Sequence, residues 1–81
     1  MEWVQKISSL PIGYSKVNYE GKSYGVSRAD FNEGRSIKVY AKDLGGNHFI
    51  SFNYYCTSTS NLLKPCEMSS EDVIHFLEHY T

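Results

Sequence analysis

Residues 36–55 read SIKVYAKDLGGNHFISFNYY, and apolar and polar side chains alternate through both halves of this stretch. A period of two residues is typical of strands that bury one face and expose the other. The segment between the two halves, residues 43–47, contains the Asp, Gly and Asn of a short turn. The stretch therefore predicts two strands joined by a short connection.

The same alternation occurs in two stretches upstream, one around Val17 and one around Tyr24. Glycine-bearing links at residues 20–21 and 32–34 separate these stretches from each other and from residue 36. Since short connections make neighbouring strands antiparallel, the sequence predicts a four-stranded antiparallel meander. Residues 62–66 are a candidate short fifth strand at the edge of this sheet.

Both ends of the chain show helical periodicity instead. Residues 3–10 place apolar side chains on one helical face, and Pro11 ends that helix. Near the carboxyl end, Ser69 followed three residues later by Asp72 is a capping pattern that begins a second helix. The apolar stripe of this second helix comprises Val73, Phe76, Leu77 and Tyr80. We expect both helices to pack on one face of the sheet.

Length and charge limit the organisation further. A chain of 81 residues with 41% hydrophobic residues can bury one core, so residues 1–81 are predicted to form a single α+β domain, as a monomer or a homodimer. Eight basic and nine acidic residues give a net charge of -1, and no global field favours nucleic acid or an anionic membrane. The longest uncharged stretch, residues 47–63, is too polar to span a membrane. The amino terminus lacks the pattern of a secretion signal, so we expect a cytoplasmic location.

The face of the sheet opposite the helices carries the clearest functional prediction, because an antiparallel sheet commonly leaves one face in water. Its third and fourth strands would display Ser36, Lys38, Tyr40, Lys42, Phe49, Ser51, Asn53 and Tyr55. Such a surface is typical of sheets that stack unpaired bases and of tyrosine-rich protein interfaces, although aromatic pairs can also simply stabilise a sheet. We predict a non-enzymatic binding module whose protein or nucleic-acid partner contacts Lys38, Tyr40, Asn53 and Tyr55.

Two motifs match known sites only in part. The segment His75-Phe76-Leu77-Glu78-His79 has the H-x-x-E-H pattern of some zinc peptidases, but a catalytic zinc needs a third protein ligand, and two residues follow His79. Both histidines are expected to face water. Gly21-Lys22-Ser23 resembles the end of a phosphate-binding loop, but Lys16 stands where the first glycine is required. No metal and no cofactor is predicted.

The two cysteines, Cys56 and Cys66, are the candidate catalytic residues. They lack the two-residue spacing of a redox or zinc pair. A nucleophilic thiol needs a neighbouring base, cation or helix amino terminus to lower its pKa. Cys66 is the better placed, three residues before Ser69, although Glu67 opposes thiolate formation. For each cysteine we expect a buried structural thiol in preference to a reactive one, because free cysteines in proteins are generally buried.

Three segments resemble a group of small bacterial proteins that are labelled peptide methionine sulfoxide reductase: IKVYAKDLGGN at residues 37–47, FISFN at 49–53 and LLKPCEM at 62–68. The resemblance implies a thiol-dependent reductase in which Cys66 or Cys56 attacks a methionine sulfoxide and the other thiol resolves the intermediate. The sequence lacks the Gly-Cys-Phe-Trp motif of the first reductase class, and only Tyr55-Cys56 matches the Arg-Tyr-Cys-x-Asn-Ser segment of the second. A sheet followed by a capped helix is also similar to the coactivator-type single-stranded-DNA-binding fold, which implies nucleic-acid binding.

Overall fold

A computed structural model describes residues 2–81, which form two helices and one five-stranded sheet. In chain order the elements are α1 (Glu2–Ser9), β1 (Gly13–Tyr19), β2 (Lys22–Phe31), β3 (Ser36–Asp43), β4 (Phe49–Cys56), β5 (Asn61–Pro65) and α2 (Ser70–His79). The strands pair antiparallel in sequence order, β1-β2-β3-β4-β5. The predicted α+β fold, with its meander and a helix from each end of the chain, is confirmed, and the candidate edge segment forms β5.

The turns between the strands use residues that tolerate a left-handed backbone. Glu20 and Gly21 connect β1 to β2 with φ values of 52° and 76°, as in the two-residue turns whose twist suits a hairpin. Residues 32–35 connect β2 to β3, and the first three of them have positive φ. After β3, the side chain of Asp43 accepts a hydrogen bond from the Gly45 backbone N–H at 3.0 Å, which stabilises the turn to β4. These short links keep each strand beside its neighbour in sequence.

Alternate residues of the strands point towards the helices and form the core. On β3, Val39 and Ala41 are fully buried, and so are the residues opposite them on β4, Phe52 and Ile50. The buried apolar side chains are Ile7, Leu10, Tyr19, Tyr24, Val26, Ile37, Val39, Ala41, Ile50, Phe52, Tyr54, Val73, Phe76, Leu77 and Tyr80. The core therefore lies between both helices and one face of the sheet, which we call the helix-covered face.

An arginine from β2 holds helix α1 on the sheet. The Nη1 atom of Arg28 donates hydrogen bonds to the backbone oxygens of Ile7, Ser8 and Leu10 at 3.3, 3.3 and 2.6 Å. These oxygens lie at the carboxyl end of α1, where backbone acceptors have no partner within the helix. The carboxylate of Asp30 accepts two further hydrogen bonds from the same guanidinium, each 2.9 Å long. Arg28 thus caps the helix while Asp30 neutralises its charge.

Helix α2 begins at the predicted cap and ends against α1. The Ser69 hydroxyl accepts a hydrogen bond from the Asp72 backbone N–H at 3.1 Å, and Met68 packs against the core. At the other end, Lys6 Nζ donates to the Tyr80 backbone oxygen at 2.6 Å, and the Tyr80 hydroxyl donates to the Lys6 backbone oxygen. The two helices therefore contact each other on the helix-covered face, and the opposite face of the sheet carries no helix.

Candidate functional site

The face of the sheet that carries no helix collects outward-pointing side chains from all five strands. We call this surface the exposed sheet face. Its members are Tyr14, Lys16 and Asn18 from β1; Ser23, Gly25, Ser27, Ala29 and Phe31 from β2; Ser36, Lys38, Tyr40 and Lys42 from β3; Phe49, Ser51, Asn53 and Tyr55 from β4; and Leu62 and Lys64 from β5. The structure thus places the four predicted binding residues, Lys38, Tyr40, Asn53 and Tyr55, on one surface.

Charge is segregated between the two sides of the molecule. The exposed sheet face has four lysines, Lys16, Lys38, Lys42 and Lys64, and no Asp or Glu. All nine carboxylate residues lie in helices, in connections or at strand positions on the helix-covered side. A chain of net charge -1 therefore carries a surface whose charged side chains are all positive.

A groove between two tyrosines crosses this surface. Tyr14, Ser27 and Tyr40 are direct cross-strand partners on β1, β2 and β3. Because strands two apart in a sheet are about 9.6 Å from each other, the two tyrosines stand on either side of Ser27. Ala29 and Lys38 also line the groove, whose volume is about 320 Å³. We call it the tyrosine groove. Its walls are aromatic, its floor is made of small residues and a lysine lies on its lining.

Gly25 explains how Tyr14 reaches its position. A Cβ atom on Gly25 would come within 2.5 Å of the Tyr14 hydroxyl oxygen, 3.0 Å of Tyr14 Cε1 and 3.1 Å of Leu44 Cδ2. The ring of Tyr14 therefore lies against the bare backbone of β2. Gly25 is buried under these side chains although its strand position faces outward. The glycine lets one wall of the tyrosine groove pack closely onto the sheet.

Aromatic and apolar side chains continue across the rest of the exposed sheet face. The rings of Tyr40 and Phe49 stack with their centroids 6.0 Å apart and an interplanar angle of 26°. Near the β2–β3 turn, Phe31, Tyr55 and Leu62 lie in one cross-strand row and are 52%, 36% and 48% exposed. Every Phe, Trp or Tyr that is exposed in residues 2–81 lies on this face. The surface therefore combines positive charge with accessible rings.

The structure does not bring the two cysteines together. Cys66 follows β5, where its backbone N–H donates to the Ser51 oxygen at 2.9 Å and its Sγ accepts a hydrogen bond from Asn53 Nδ2 at 3.7 Å. Cys56 is at the other end of β4, opposite Asn61, and it is exposed, so the expectation of a buried thiol is wrong for this residue. At about 3.3 Å per residue, the five positions from Ser51 to Cys56 span roughly 17 Å. A disulfide requires Cα atoms within about 7 Å, so a relay between these thiols would require the sheet to rearrange.

Two histidines and two tyrosines meet beside helix α2. The Tyr19 hydroxyl is hydrogen-bonded to His75 Nδ1, and the Tyr24 hydroxyl to His48 Nδ1 at 2.8 Å. Burial raises the pKa of Tyr19 and of Tyr24, and the nearby carboxylate of Glu20 adds to the first shift. Both hydroxyls therefore stay protonated at neutral pH and can keep their hydrogen bonds with the two histidines at the edge of the core.

The two histidines of the H-x-x-E-H motif in α2 are not placed as the ligands of a metal site would be. His75 and His79 are both exposed, as predicted, and their ring centroids are 4.3 Å apart, but His75 uses Nδ1 for its bond with Tyr19. Across residues 2–81, no three His, Cys, Asp or Glu side chains are grouped so that they could hold a metal ion. The histidines therefore act in this structure as hydrogen-bonding and surface groups.

Sequence reasoning missed part of the exposed sheet face. It identified the contributions of β3 and β4 but not those of β1, β2 and β5. On β1, for example, Tyr14 and Lys16 alternate with the inward-pointing Ser15 and Val17. The same period-two rule applied to residues 13–19 would have found them. The contact between Tyr14 and Gly25 has no comparable signal, because it depends on the register of two strands.

Comparisons of the chain with protein-family models, with curated proteins and with solved structures gave no match. Within the described part of the chain, neither helix has the length and apolar character needed to cross a membrane. The charge and shape of the exposed sheet face are therefore the features from which a function can be inferred.

Proposed function

We propose that this chain is a small non-enzymatic binding module whose exposed sheet face receives an anionic partner, either a nucleic-acid strand or an acidic protein segment. One observation carries the proposal: four lysines and no carboxylate occupy this face in a chain whose net charge is -1. In the cytoplasm, which is the compartment expected from the sequence, both classes of partner are present.

The exposed rings support the same conclusion. Tyr14, Phe31 and Tyr40 are 61%, 52% and 41% exposed, although burial of each would stabilise the fold. Tyrosine is enriched at interfaces, because its ring gives contact area and its hydroxyl stays hydrated. Opposite charges on directly paired residues of neighbouring strands stabilise a sheet. The lysines of this face have no such cross-strand partner among the described strand positions.

Titration of the isotopically labelled protein with anionic polymers tests the proposal. The panel contains a single-stranded oligonucleotide, the matching duplex, heparin and an acidic peptide, each at low ionic strength, because electrostatic binding weakens as salt rises. We expect at least one of them to shift amide resonances of β1 to β5 while resonances of α1 and α2 move little. Absence of binding by the whole panel, or shifts centred on the helices, would refute the proposal.

Charge-matched variants locate the binding surface. Lys38→Gln and Lys42→Gln each remove one positive charge from the exposed sheet face and should weaken binding. The control is Lys22→Gln, which removes the same charge from a residue that is not on this face. Lys22 Nζ lies 3.8 Å from the carboxylate of Asp43. If Lys22→Gln weakens binding as much as the other two variants, the protein responds to net charge and not to the proposed surface.

A further inference from the structure

Resting on the proposed function, we infer that the anionic partner is single-stranded nucleic acid and that one unpaired base stacks in the tyrosine groove between Tyr14 and Tyr40. The lysines of the exposed sheet face select only for an anion, whereas the tyrosine groove adds a position for an aromatic ring. Stacking on aromatic side chains is the common way in which proteins hold unpaired bases, and it tolerates any base because every base has an aromatic face.

The dimensions of the tyrosine groove fit a planar ring. The backbones of β1 and β3 are about 9.6 Å apart on either side of β2, and aromatic rings interact favourably when their centroids are about 4.5–7 Å apart. The ring of Tyr14 itself lies over Gly25 of β2, so the space for a planar ring is over Ser27 and Ala29, beside Tyr40. The groove volume of about 320 Å³ is at the lower end of the range for small-ligand pockets. The small side chains of Ser27 and Ala29 leave the floor open to the base edge.

Lysines lie on both sides of one groove wall. The sequence Lys38-Val39-Tyr40-Ala41-Lys42 puts Lys38 and Lys42 two residues before and after Tyr40 on the same face of β3. Two residues along a strand span about 6.7 Å, which brings each ammonium group near the backbone on one side of the stacked base. The lysines can then contact the phosphates that precede and follow that base.

The shape of the surface separates single strands from other anions. The bases of a duplex are already stacked and paired, so a duplex could offer only its phosphates to the lysines. The side chains of an acidic peptide would pair with the lysines but would leave the tyrosine groove empty. Among a single strand, a duplex and a peptide of Asp and Glu alone, only the single strand supplies both a ring for the groove and an anion for Lys38. The acidic peptide is therefore the competing outcome of the test.

Substitution of Gly25 tests the tyrosine groove without removing either tyrosine. Because a Cβ atom there would meet the Tyr14 hydroxyl at 2.5 Å, Gly25→Ala must move the ring of Tyr14. The substitution leaves every lysine in place and adds a single methyl group. It should therefore impair stacking and leave the contacts with phosphate intact.

The experiment compares a fluorescent oligothymidylate of about 12 nucleotides, within the range of single-strand site sizes, with an abasic strand of the same length. The two strands carry the same phosphates and differ in their bases. By fluorescence anisotropy at about 50 mM salt, we expect the wild-type protein to bind the oligothymidylate roughly 5- to 150-fold more tightly, the effect of one stacked base. Equal affinities for the two strands would overturn the inference.

Variants then place the stacked base. Tyr14→Ala and Tyr40→Ala should each lose most of the difference between the two strands, and Tyr40→Phe should keep it. Gly25→Ala should reduce the difference, whereas Lys38→Gln should weaken both strands alike and lower the salt slope by about 0.7, the value for one phosphate contact with a single strand. If Tyr14→Ala and Tyr40→Ala fold but keep the full difference, the base lies elsewhere and the inference is wrong.

The outcomes distinguish this inference from the proposed function. Salt-dependent binding that is equal for both strands, or binding of the acidic peptide alone, overturns the stacked base and leaves the anion-binding face standing. Failure of every anion to bind refutes both. The comparison of the two strands uses the wild-type protein, so it decides the matter even if a tyrosine variant fails to fold.

Discussion

Alternate residues of β3 show how differently the two faces of one sheet are built. Ile37, Val39 and Ala41 point towards the helices and are at most 8% exposed, whereas Lys38 and Tyr40, which lie between them, point into solvent. The helix-covered face is apolar and closed by α1 and α2. The exposed sheet face is aromatic and positively charged, and it is open. The difference indicates that the fold obtains most of its stability from one face and leaves the other face open to solvent.

Removal of a core ring should give the largest effect and would test this division most directly. Phe52→Ala deletes a fully buried side chain of β4, and we expect the free energy of unfolding to fall by about 3–5 kcal/mol. Tyr40→Ala removes a similar ring from the exposed sheet face and should change it by less than about 1 kcal/mol. Urea unfolding followed by circular dichroism measures both.

A similar loss from the two variants would show that both faces contribute to stability and would remove the basis of the comparison. If Phe52→Ala is too unstable to fold, Ile50→Val provides the same test on a smaller scale, with an expected loss of about 0.5–1.5 kcal/mol. Ile50 is 1% exposed and lies opposite Ala41 on the same face as Phe52.

Arg28 lies on the helix-covered face, and its substitution tests whether a charged residue there stabilises the fold. Arg28→Ala removes the cap of α1 and leaves Asp30 without its partner, so we expect a loss of about 2–4 kcal/mol by urea unfolding. Arg28→Lys should restore only part of it, because an ammonium group cannot reproduce the guanidinium geometry. The control is Arg35→Ala in the β2–β3 turn, which should stay within about 0.5 kcal/mol. Equal effects at the two arginines would contradict the role that we assign to Arg28.

Alkaline pH should act on the helix-covered face through its tyrosines. Burial raises the pKa of Tyr19, Tyr24, Tyr54 and Tyr80 in the folded protein above the ordinary value of 10.0. The unfolded chain therefore loses these protons first, and the stability that they contribute is complete below pH 10 and falls as the pH rises through the folded pKa values. Urea unfolding between pH 8 and pH 11 should show this decline.

Tyr54→Phe provides the matched control for the alkaline effect. The Tyr54 hydroxyl is buried and has no hydrogen-bond partner among residues 2–81, so its removal should not destabilise the protein at neutral pH. The variant should also lose less stability than the wild type above pH 10. A steeper alkaline decline in Tyr54→Phe would contradict the assignment of this effect to buried tyrosines.

The lysines of the exposed sheet face should give the smallest effect, and with the opposite sign. Lys38 and Lys64 flank Asn53, and Lys16 and Lys42 flank Gly25, so like charges face each other across one intervening strand. We expect the double variant Lys38→Gln/Lys42→Gln to gain a few tenths of a kcal/mol at low ionic strength and nothing at high salt. A loss of stability would show that these lysines hold the fold together, which would weaken the case that they serve a partner.

The architecture could be predicted from the sequence because it depends on local patterns. The alternation in residues 36–55, the turn residues and the cap at Ser69 each specify a strand, a link or a helix start without reference to distant residues. The period-two rule also assigned Lys38, Tyr40, Asn53 and Tyr55 to one outward face. These predictions succeeded since side-chain direction in a strand is fixed by its position in the alternation.

Other features depend on contacts between distant residues and could not be predicted. In the sequence, nothing distinguishes Arg28 from an ordinary surface cation. Its role depends on the register of β2, which places it next to the carboxyl end of α1. The tyrosine groove requires Tyr14 and Tyr40 to flank the same residue of β2, which no local pattern specifies. The separation of Cys56 from Cys66 follows from the pairing of β4 with β5. In each case the three-dimensional register supplied the missing information.

The sequential order of the strands also has a consequence for the kinetics of folding. Each strand pairs with its neighbour in the chain, so every step of sheet formation closes only a short loop and costs little entropy. The contact between Lys6 and Tyr80 joins residues 74 positions apart. Closing this loop costs the most chain entropy, unless the sheet has already brought the two ends of the chain together. We therefore expect the hairpins to form first and the two helices to dock together late. Substitutions at Lys6 or Tyr80 should then accelerate unfolding and leave the folding rate almost unchanged.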